Sequence, residues 1–550
     1  MQYEKTDNSN KCSAIRKLNS CITGVFFFLM GSFTISTAQA DDNFSYNLSG
    51  YLRSTVAVNL QNQPETADDD TWSIPMFRNT LLLDLDVYTG PLTWKFVGRY
   101  DKEVKTGYLS RLEKLTQIQS PGGNYAGDFM GQYNTSDFLE FAREWYVDFS
   151  LFDERLDVRL GKQQLVWGES DFFQAMDLIH GFDFRWRLFF ENNEEWRKPL
   201  ILANFNLDMS EELGGSLNFF VRPGFDRARD MGNSFNLEGG RNIPHPYRGV
   251  DFTAFNKAYN TSNSKGNWND VTYGVRWTGE INSIGYSLAY LKTFNPTPIQ
   301  NPANTGNLGV VEAFGVTSTT PFGGDATNQV LGDWIYPKID VFGGSLNRYF
   351  QSLDSTLSTE VAFTPNKPFN FGQLNSSLPG WGGVKLKDTL VAMFRIDKEL
   401  KLSKLLGTNR PSLSSIQVFD TWILGYNRKD DLVEIFSFGA PKKKHTVMAT
   451  FFTVLNFRHD TINPSFVVGG DLSNGGGFAI PAVEFVIGDN WRIKVEADLW
   501  WGGNKKKVSA VIPGSGGAHI NPVGVNENSA AFFDWFAGDN QLVFKVTRQF

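Results

Sequence analysis

The sequence predicts an all-β protein, a transmembrane antiparallel β-barrel of about eighteen strands, with sixteen as the alternative count and long extracellular loops. Three observations carry that expectation. Polar and apolar residues alternate with period two in segment after segment, so one face of each strand meets hydrocarbon and the other meets water. The connections between these segments alternate between tight turns and long excursions. The chain closes on Asn540–Phe550, N-Q-L-V-F-K-V-T-R-Q-F, where Leu542, Phe544, Val546 and Phe550 share one face and Gln541, Lys545, Thr547 and Gln549 the other. Arg548 interrupts the apolar face at its very end, where a long cationic side chain reaches the headgroups.

Composition agrees. Outside the N-terminus no apolar run reaches the length of a helical span. Yet 48 Phe, 15 Trp, 17 Tyr and 52 Gly accompany only 41% hydrophobic residues, the balance of a wall whose strands are half apolar. A net charge of -7 argues against nucleic acid as a partner.

Residues 1–40 read as a signal peptide. Lys5, Lys11, Arg16 and Lys17 precede an apolar core from Ile22 to Phe33, followed by Ala38-Gln39-Ala40 and Asp41-Asp42. Both cysteines, Cys12 and Cys21, fall within this segment, so residues 41–550 hold no disulfide and no cysteine–metal site. Those residues are expected to form a single barrel domain with an inserted loop, 164–199, and no preceding plug domain.

The first strand runs from Phe44 to Asn59. Phe44, Tyr46, Leu48, Leu52, Val56 and Val58 lie on one face, and Ser45, Asn47, Ser49, Arg53, Thr55 and Asn59 on the other. Further strands are expected near 79–88, 91–101, 141–149, 155–163, 200–208, 213–222, 270–280, 284–293, 338–350, 355–364, 387–398, 415–428, 446–458, 464–470, 478–487, 490–501 and 540–550. Thr89-Gly90-Pro91, Phe152-Asp153-Glu154, Met209 to Glu212 and Gly488-Asp489 make tight turns. Long connections fall near 60–78, 102–140, 164–199, 223–269, 294–337, 365–386, 429–445 and 502–539.

The polar faces carry both signs of charge. Arg53, Asp84, Asp86, Lys95, Arg99, Glu144, Arg159, Arg395 and Glu496 alternate with large apolar residues. A cation facing the bilayer midplane costs about 2–4 kcal/mol, so these side chains should face a wet lumen and pair across strands. With a turn centred between Leu151 and Phe152, Glu144 is expected opposite Arg159, and Asp148 opposite Arg155.

The most distinctive stretch follows Arg143-Glu144. It reads Gly161-Lys162-Gln163-Gln164-Leu165-Val166-Trp167-Gly168-Glu169-Ser170-Asp171, then Asp177-Leu178-Ile179-His180-Gly181-Phe182-Asp183. This resembles a family of proteobacterial outer-membrane β-barrel proteins of unknown function, porin-like, marked by G-K/R-Q-x-x-x-W-G-E-x-D and then a D-x-I-N-P-like stretch. Here His-Gly replaces the usual Asn-Pro. The resemblance implies a monomeric, channel-like barrel in the Gram-negative outer membrane, beside envelope systems that move hydrophobic or lipid-like compounds.

The residues themselves suggest that 164–199 folds into the lumen. Phe172, Phe173, Phe182, Phe184, Trp186, Leu188, Phe189, Phe190 and Trp196 are too apolar to remain in water. Gln163, Trp167, Glu169, Asp171, Asp177, Arg185 and Arg187 are therefore the candidate pore and constriction residues; Asp183 and Arg197 lie among them. A self-contained surface loop with internal ion pairs is the bland alternative.

Catalytic signatures are missing from the sequence. His180, His245, His445, His459 and His519 show no H-E-x-x-H spacing, Ser170 has no G-x-S-x-G context, and Asp68-Asp69-Asp70 lacks an EF-hand pattern. The expected function is passage of a small solute, a hydrophobic or lipid-like one included, through a loop-narrowed lumen, with no cofactor and no metal. An outer-membrane hydrolase and a structural or adhesin-like barrel are the alternatives. The expected partners are outer-membrane lipid and lipopolysaccharide, the solute, the barrel-assembly machinery acting on Phe550, and periplasmic components of a lipid-export or uptake system.

Overall fold

The computed structural model describes residues 44–62, 69–119, 128–187, 190–191, 193–209, 214–223, 240–242, 271–297, 299–300, 334–371, 383–434, 440–502, 510–511, 519–520 and 532–550. The expected signal peptide lies outside them, as do Asp68, Leu188, Phe189 and His245.

Eighteen antiparallel strands form one sheet. In chain order they are β1 (Phe44–Asn59), β2 (Met76–Thr89), β3 (Leu92–Glu103), β4 (Ala142–Leu151), β5 (Leu156–Gln163) and β6 (Leu200–Asp208). Next come β7 (Ser216–Arg222), β8 (Thr272–Ile281), β9 (Ile284–Phe294), β10 (Lys338–Phe350), β11 (Ser355–Phe371) and β12 (Gly383–Leu400). The last six are β13 (Ser412–Ile423), β14 (His445–Val454), β15 (Ile462–Asp471), β16 (Gly477–Ile487), β17 (Trp491–Trp501) and β18 (Gln541–Gln549). Each pairs with its sequence neighbours, and β18 returns to β1 from Tyr51↔Gln549 to Asn59↔Gln541.

Closure removes the sheet edges, which a lipid environment leaves nowhere to satisfy. The last residue takes part in it. Gly50 and Phe550 exchange backbone hydrogen bonds, each 3.1 Å. Gly50 has no side chain there because an added Cβ would stand 2.9 Å from the Phe550 ring and 2.2 Å from the Leu82 carbonyl oxygen.

The alternation in the sequence is the alternation of the wall. Leu288, Phe342, Leu346, Val361, Phe394, Ile416, Phe466 and Phe485 face outward and are exposed. A belt of this kind needs hydrocarbon around it, and the barrel is an outer-membrane wall. At the short-turn end Arg548 lies over the outward Trp491 ring, 5.7 Å from its centroid. On the opposite face, Asp86 stands across from Lys95, whose Nζ lies 2.5 Å from Asp84 and 2.9 Å from Asp86.

Three expectations need correction. The β4–β5 register pairs Asp148 with Arg159 and Leu151 with Leu156, not Glu144 with Arg159 or Asp148 with Arg155. The cause is a wider turn: Phe152, Asp153 and Glu154 all adopt positive φ (56°, 53° and 63°), so four residues lie outside the ladder. The slip is an even number of residues, so every side chain keeps its face. Secondly, the two ends of the long connection expected at 365–386, residues 365–371 and 383–386, are strand, since β11 and β12 stay paired as far as Phe371↔Gly383 past an irregularity between Thr364 and Lys367. Thirdly, the strand expected at 415–428 spans Ser412–Ile423.

A loop pinned across the lumen

The segment between β5 and β6 turns inward and meets the wall on all sides. β5 leads into it through Gly161, whose φ of 138° suits glycine and where a Cβ would collide with the Trp145 carbonyl oxygen. Gln163 is buried, and its amide donates to the Leu202 carbonyl at 3.1 Å, so it ties β5 to β6. Gln164 donates to Glu144 at 2.7 Å, which is where Glu144 finds its partner.

Trp167 is the first anchor. It is buried, its ring meets Phe220 edge-on at 5.3 Å, and its indole N–H donates to Asn218 at 2.9 Å. Gly274 on β8 makes room: a Cβ there would lie 2.6 Å from the indole. Met176 and Ile179 join Trp167 in a cluster with Leu200, Leu202, Leu291, Ile339 and Val341.

The next residues cross to the far wall. Glu169 accepts from Asn347 on β10 at 3.0 Å. Its backbone N–H donates to Glu360 on β11, and its carbonyl accepts from Arg395 on β12 at 2.5 Å. Asp171 pairs with Arg395 at 3.0 Å and accepts from Gln417 on β13 at 2.9 Å. Phe173 meets Phe419 edge-on.

The return leg crosses the other half. Arg187 enters a buried charge cluster, with both Asp498 oxygens at 2.9–3.0 Å and contacts to Glu191 and Glu496. Lys545 on β18 joins Glu191 and lies 3.3 Å from Glu496, which is 2.8 Å from Lys494. Phe190 packs on Trp500 with centroids 4.5 Å apart. Glu195 then pairs with Arg53 at 2.7 Å and Arg99 at 3.6 Å. Trp186 lies beneath Arg78 and Arg99, 4.6 and 5.1 Å from its ring. Removing one partner of such a buried pair costs about 3–5 kcal/mol because the other charge stays buried.

The loop also holds itself. Phe182 and Arg197 form a backbone bridge. Asp177 pairs with Arg197 at 2.5 Å, and Arg185 clasps Asp183 and reaches Glu140 at 2.9 Å. Burial would raise the Asp183 carboxyl, but the Arg185 guanidinium and Lys198 outweigh it and hold the acid well below its usual range. His180 closes the neck. Its Nε2 accepts the Leu165 backbone N–H at 2.8 Å, and its Nδ1 lies 2.8 Å from the Lys198 carbonyl oxygen. Only the neutral ring protonated on Nδ1 satisfies both. Burial, with Arg197 nearby, pushes its pKa down to about 3.

All the candidate constriction residues except Gln163 therefore belong to one ordered excursion, and Arg53, Arg99, Arg395 and Glu496 are its wall contacts. Asp84, Asp86, Lys95 and Arg159 are not: they pair within the wall, Arg159 with Asp148 at 2.7 Å. Sequence reasoning missed Glu360, Glu191, Glu195, Lys545 and the role of His180. The partners of Glu360, Glu195 and Lys545 lie far away in sequence, and Glu191, four residues from Arg187, gives no local sign of Lys545. The replacement of Asn-Pro by His-Gly was the one visible sign at His180.

Between the loop and Pro296–Thr297 lies a chamber of about 150 Å³ lined by Phe172, Phe173, Phe182, Phe184 and Trp196. Among the described residues Ser170 Oγ, Asp177 Oδ1 and Trp196 Nε1 at its border find no hydrogen-bond partner. Among the described residues no group of three or more His, Cys, Asp or Glu side chains is arranged to hold a metal ion.

The chain belongs to the family described as Protein of unknown function (DUF1302), which matches residues 26–536. No curated protein matches it. Among solved structures it is similar to Pseudomonas aeruginosa OccK3 (OpdO), at 9% identity and a TM-score of 0.42, over 92% of this chain and 95% of that one. It is also similar to Pseudomonas aeruginosa OccK5 (OpdH), at 7% identity and a TM-score of 0.41, over 92% and 97%. A third is the outer membrane channel DcaP of Acinetobacter baumannii, at 7% identity and a TM-score of 0.37, over 94% and 100%.

Proposed function

We propose that this DUF1302 member is a non-enzymatic outer-membrane channel in which loop 164–199 controls the passage of a small solute. One observation carries the reading: the loop is fastened to opposite walls of a lumen lined with charge, by Glu169 and Asp171 to β10–β13 and by Arg187 to β17. A barrel with a purely structural role has no need of a charged excursion held across its own bore.

The solute is one with an apolar part, a hydrophobic or lipid-like compound included. Support comes from the aromatic chamber, whose few polar atoms without partners suit a ring or chain bearing one hydrogen-bonding group. In this reading residues 1–40 direct export, the long loops face outward, and lipopolysaccharide surrounds the belt. The assembly machinery engages Phe550, and periplasmic partners of a lipid-export or uptake system meet the short turns.

Planar-bilayer recording tests the channel. Replacing residues 172–196 by a short Gly-Ser bridge should raise single-channel conductance several-fold while the barrel keeps its heat-modifiable migration on gels. A shortened barrel that assembles but conducts like the parent would remove the loop from the pore.

A further inference from the structure

The wall has a breach on one side, and both of its faces line the same cavity. On β4 the ladder to β3 runs from Asp148 to Glu144, then shifts between Val97 and Gly98, so that Gly98 pairs with Ala142. Arg143 is the extra residue. Such a bulge re-aims a side chain, and Arg143 reaches inward to the carbonyl oxygens of Glu194 and Arg197, the latter at 2.9 Å. Beyond this point β3 bonds to a loop instead of a strand: Thr135 N–H donates to the Asp101 carbonyl at 3.0 Å, and Glu103 N–H to Asn134 at 2.8 Å.

A cavity of about 350 Å³ opens there. Its outer lining includes Leu139, Trp145 and Ile201, which are 49%, 39% and 56% exposed. Its inner lining includes Arg78, Arg99 and Arg143. Such a volume is within the range of ligand pockets, and the two linings differ in kind.

The charges on the inner side do not balance. Asp101 is held by Arg78 and Arg99, Glu195 by Arg53 and Arg99, and Asp183 and Glu140 by Arg185. Asp137 caps the short helix Phe138–Phe141, accepting the Glu140 backbone N–H. Among the described residues Arg143 hydrogen-bonds only to backbone carbonyls, and Glu144 and Glu195 act on it from beyond ion-pair distance. Arg78 and Arg99 are buried, and among the described residues each keeps one terminal guanidinium nitrogen without a hydrogen-bond partner. A partly buried guanidinium with no carboxylate in direct contact is costly, and an anion relieves it.

We propose that the breach between β3 and β4 binds an anionic amphiphile, its carboxylate or phosphate beside Arg143 and its chain along Leu139, Trp145 and Ile201. The cavity abuts the constriction loop, sharing Arg99, Arg185 and Glu195 with it, but it is read by labelling and not by conductance, so it stands or falls apart from the channel reading. The same chemistry is offered by a diffusing fatty-acid-like solute and by an anionic lipid of the surrounding leaflet.

The test is photolabelling of the whole mature barrel in nanodiscs of zwitterionic lipid, with a fatty acid carrying a mid-chain diazirine, followed by peptide mapping. Labelling should concentrate in 137–146 and 199–203 and fall at least fivefold in Arg143→Gln, with recovery in Arg143→Lys. Competition by decanoate supports a diffusing amphiphile, and displacement by phosphatidylglycerol in the disc supports a resident lipid; either upholds the site. Equal competition by decanol or by inorganic phosphate overturns the proposal, and so does label spread around the whole belt. Should Arg143→Gln not assemble, Ile201→Glu in the outer lining is expected to abolish the mapped label, and unchanged labelling there overturns the proposal equally.

Discussion

The wall and the loop it encloses are built by opposite means. Along β2 and β3 charges meet partners on the neighbouring strand, as Asp86 meets Lys95 and Arg78 meets Asp101, and the hydrogen-bonded ladder fixes the geometry before any side chain acts. In loop 164–199 Glu360, Gln417, Asp498 and Lys545 hold segments of chain that lie far from them in sequence. The wall is locally determined and redundant. The loop depends on long-range contacts that no local pairing replaces, so the two should fail separately.

The sharpest way to expose that difference is Arg187→Gln. It leaves Asp498, Glu496 and Glu191 crowded around a neutral side chain, an expected loss of about 3–5 kcal/mol to loop docking. Hydrogen exchange should rise by orders of magnitude across 164–199 and stay unchanged in β2 and β3. Equal loosening of both would show that the wall depends on the loop after all.

Acid should separate the two regions more gently. The His180 pKa is lowered to about 3 from 6.5, so the loop-free state binds more protons between those limits. Stability of the docked loop is therefore complete above about 6.5 and lost as pH falls toward 3, by about 1.4 kcal/mol per unit. Asp177 acts in the opposite sense: burial raises its carboxyl, partly offset by Arg197, so lower pH favours its folded form. The expected outcome is greater loop exchange at pH 4.5 than at pH 7.5, with most of the difference gone in His180→Gln. A pH profile unchanged by that substitution would break the link to the neck of the loop.

Removing charge at the tip probes the same comparison from the lumen. Glu169→Gln with Asp171→Asn takes one negative charge from beside Arg395 and one from beside Asn347. Cation preference in bilayer reversal potentials should fall measurably, more at low salt, since exposed charges are screened within about 8–10 Å. Selectivity that stays constant at every ionic strength would place the permeation path away from these side chains.

These contrasts also account for what was legible in the sequence. All eighteen wall strands were visible because period-two patterning is a local signal that hydrocarbon on one side and water on the other impose. Infolding of 164–199 was legible from its aromatics, and Trp167, Phe190 and Trp196 are indeed buried. Its fastening points were not. Glu360 is a lone acid between Thr359 and Val361, with nothing nearby to show that the Glu169 backbone N–H would bond to it. The register of β4 and β5 was missed because three consecutive residues at positive φ are not readable from Phe152-Asp153-Glu154.

The smallest expected effect tests that corrected register. Arg159 lies across from Asp148, donates two hydrogen bonds to it at 2.7 and 2.8 Å, and sits over the Tyr146 ring at 4.2 Å. Both side chains are about one-third exposed to the lumen, where water screens the pair. A double-mutant cycle of Asp148→Asn with Arg159→Gln, read from folding titrations into lipid, should therefore give a coupling of only about 0.2–1 kcal/mol. The companion cycle of Glu144→Gln with Arg159→Gln should give less, because Glu144 accepts its hydrogen bond from Gln164 at the root of the loop. If the second coupling exceeds the first, the turn at Phe152–Arg155 is tighter than described and the ladder shifts with it. If the Glu144 substitution instead loosens 164–199 while leaving the ladder intact, the boundary between wall and loop falls at Gln164, where local pairing hands over to long-range anchoring.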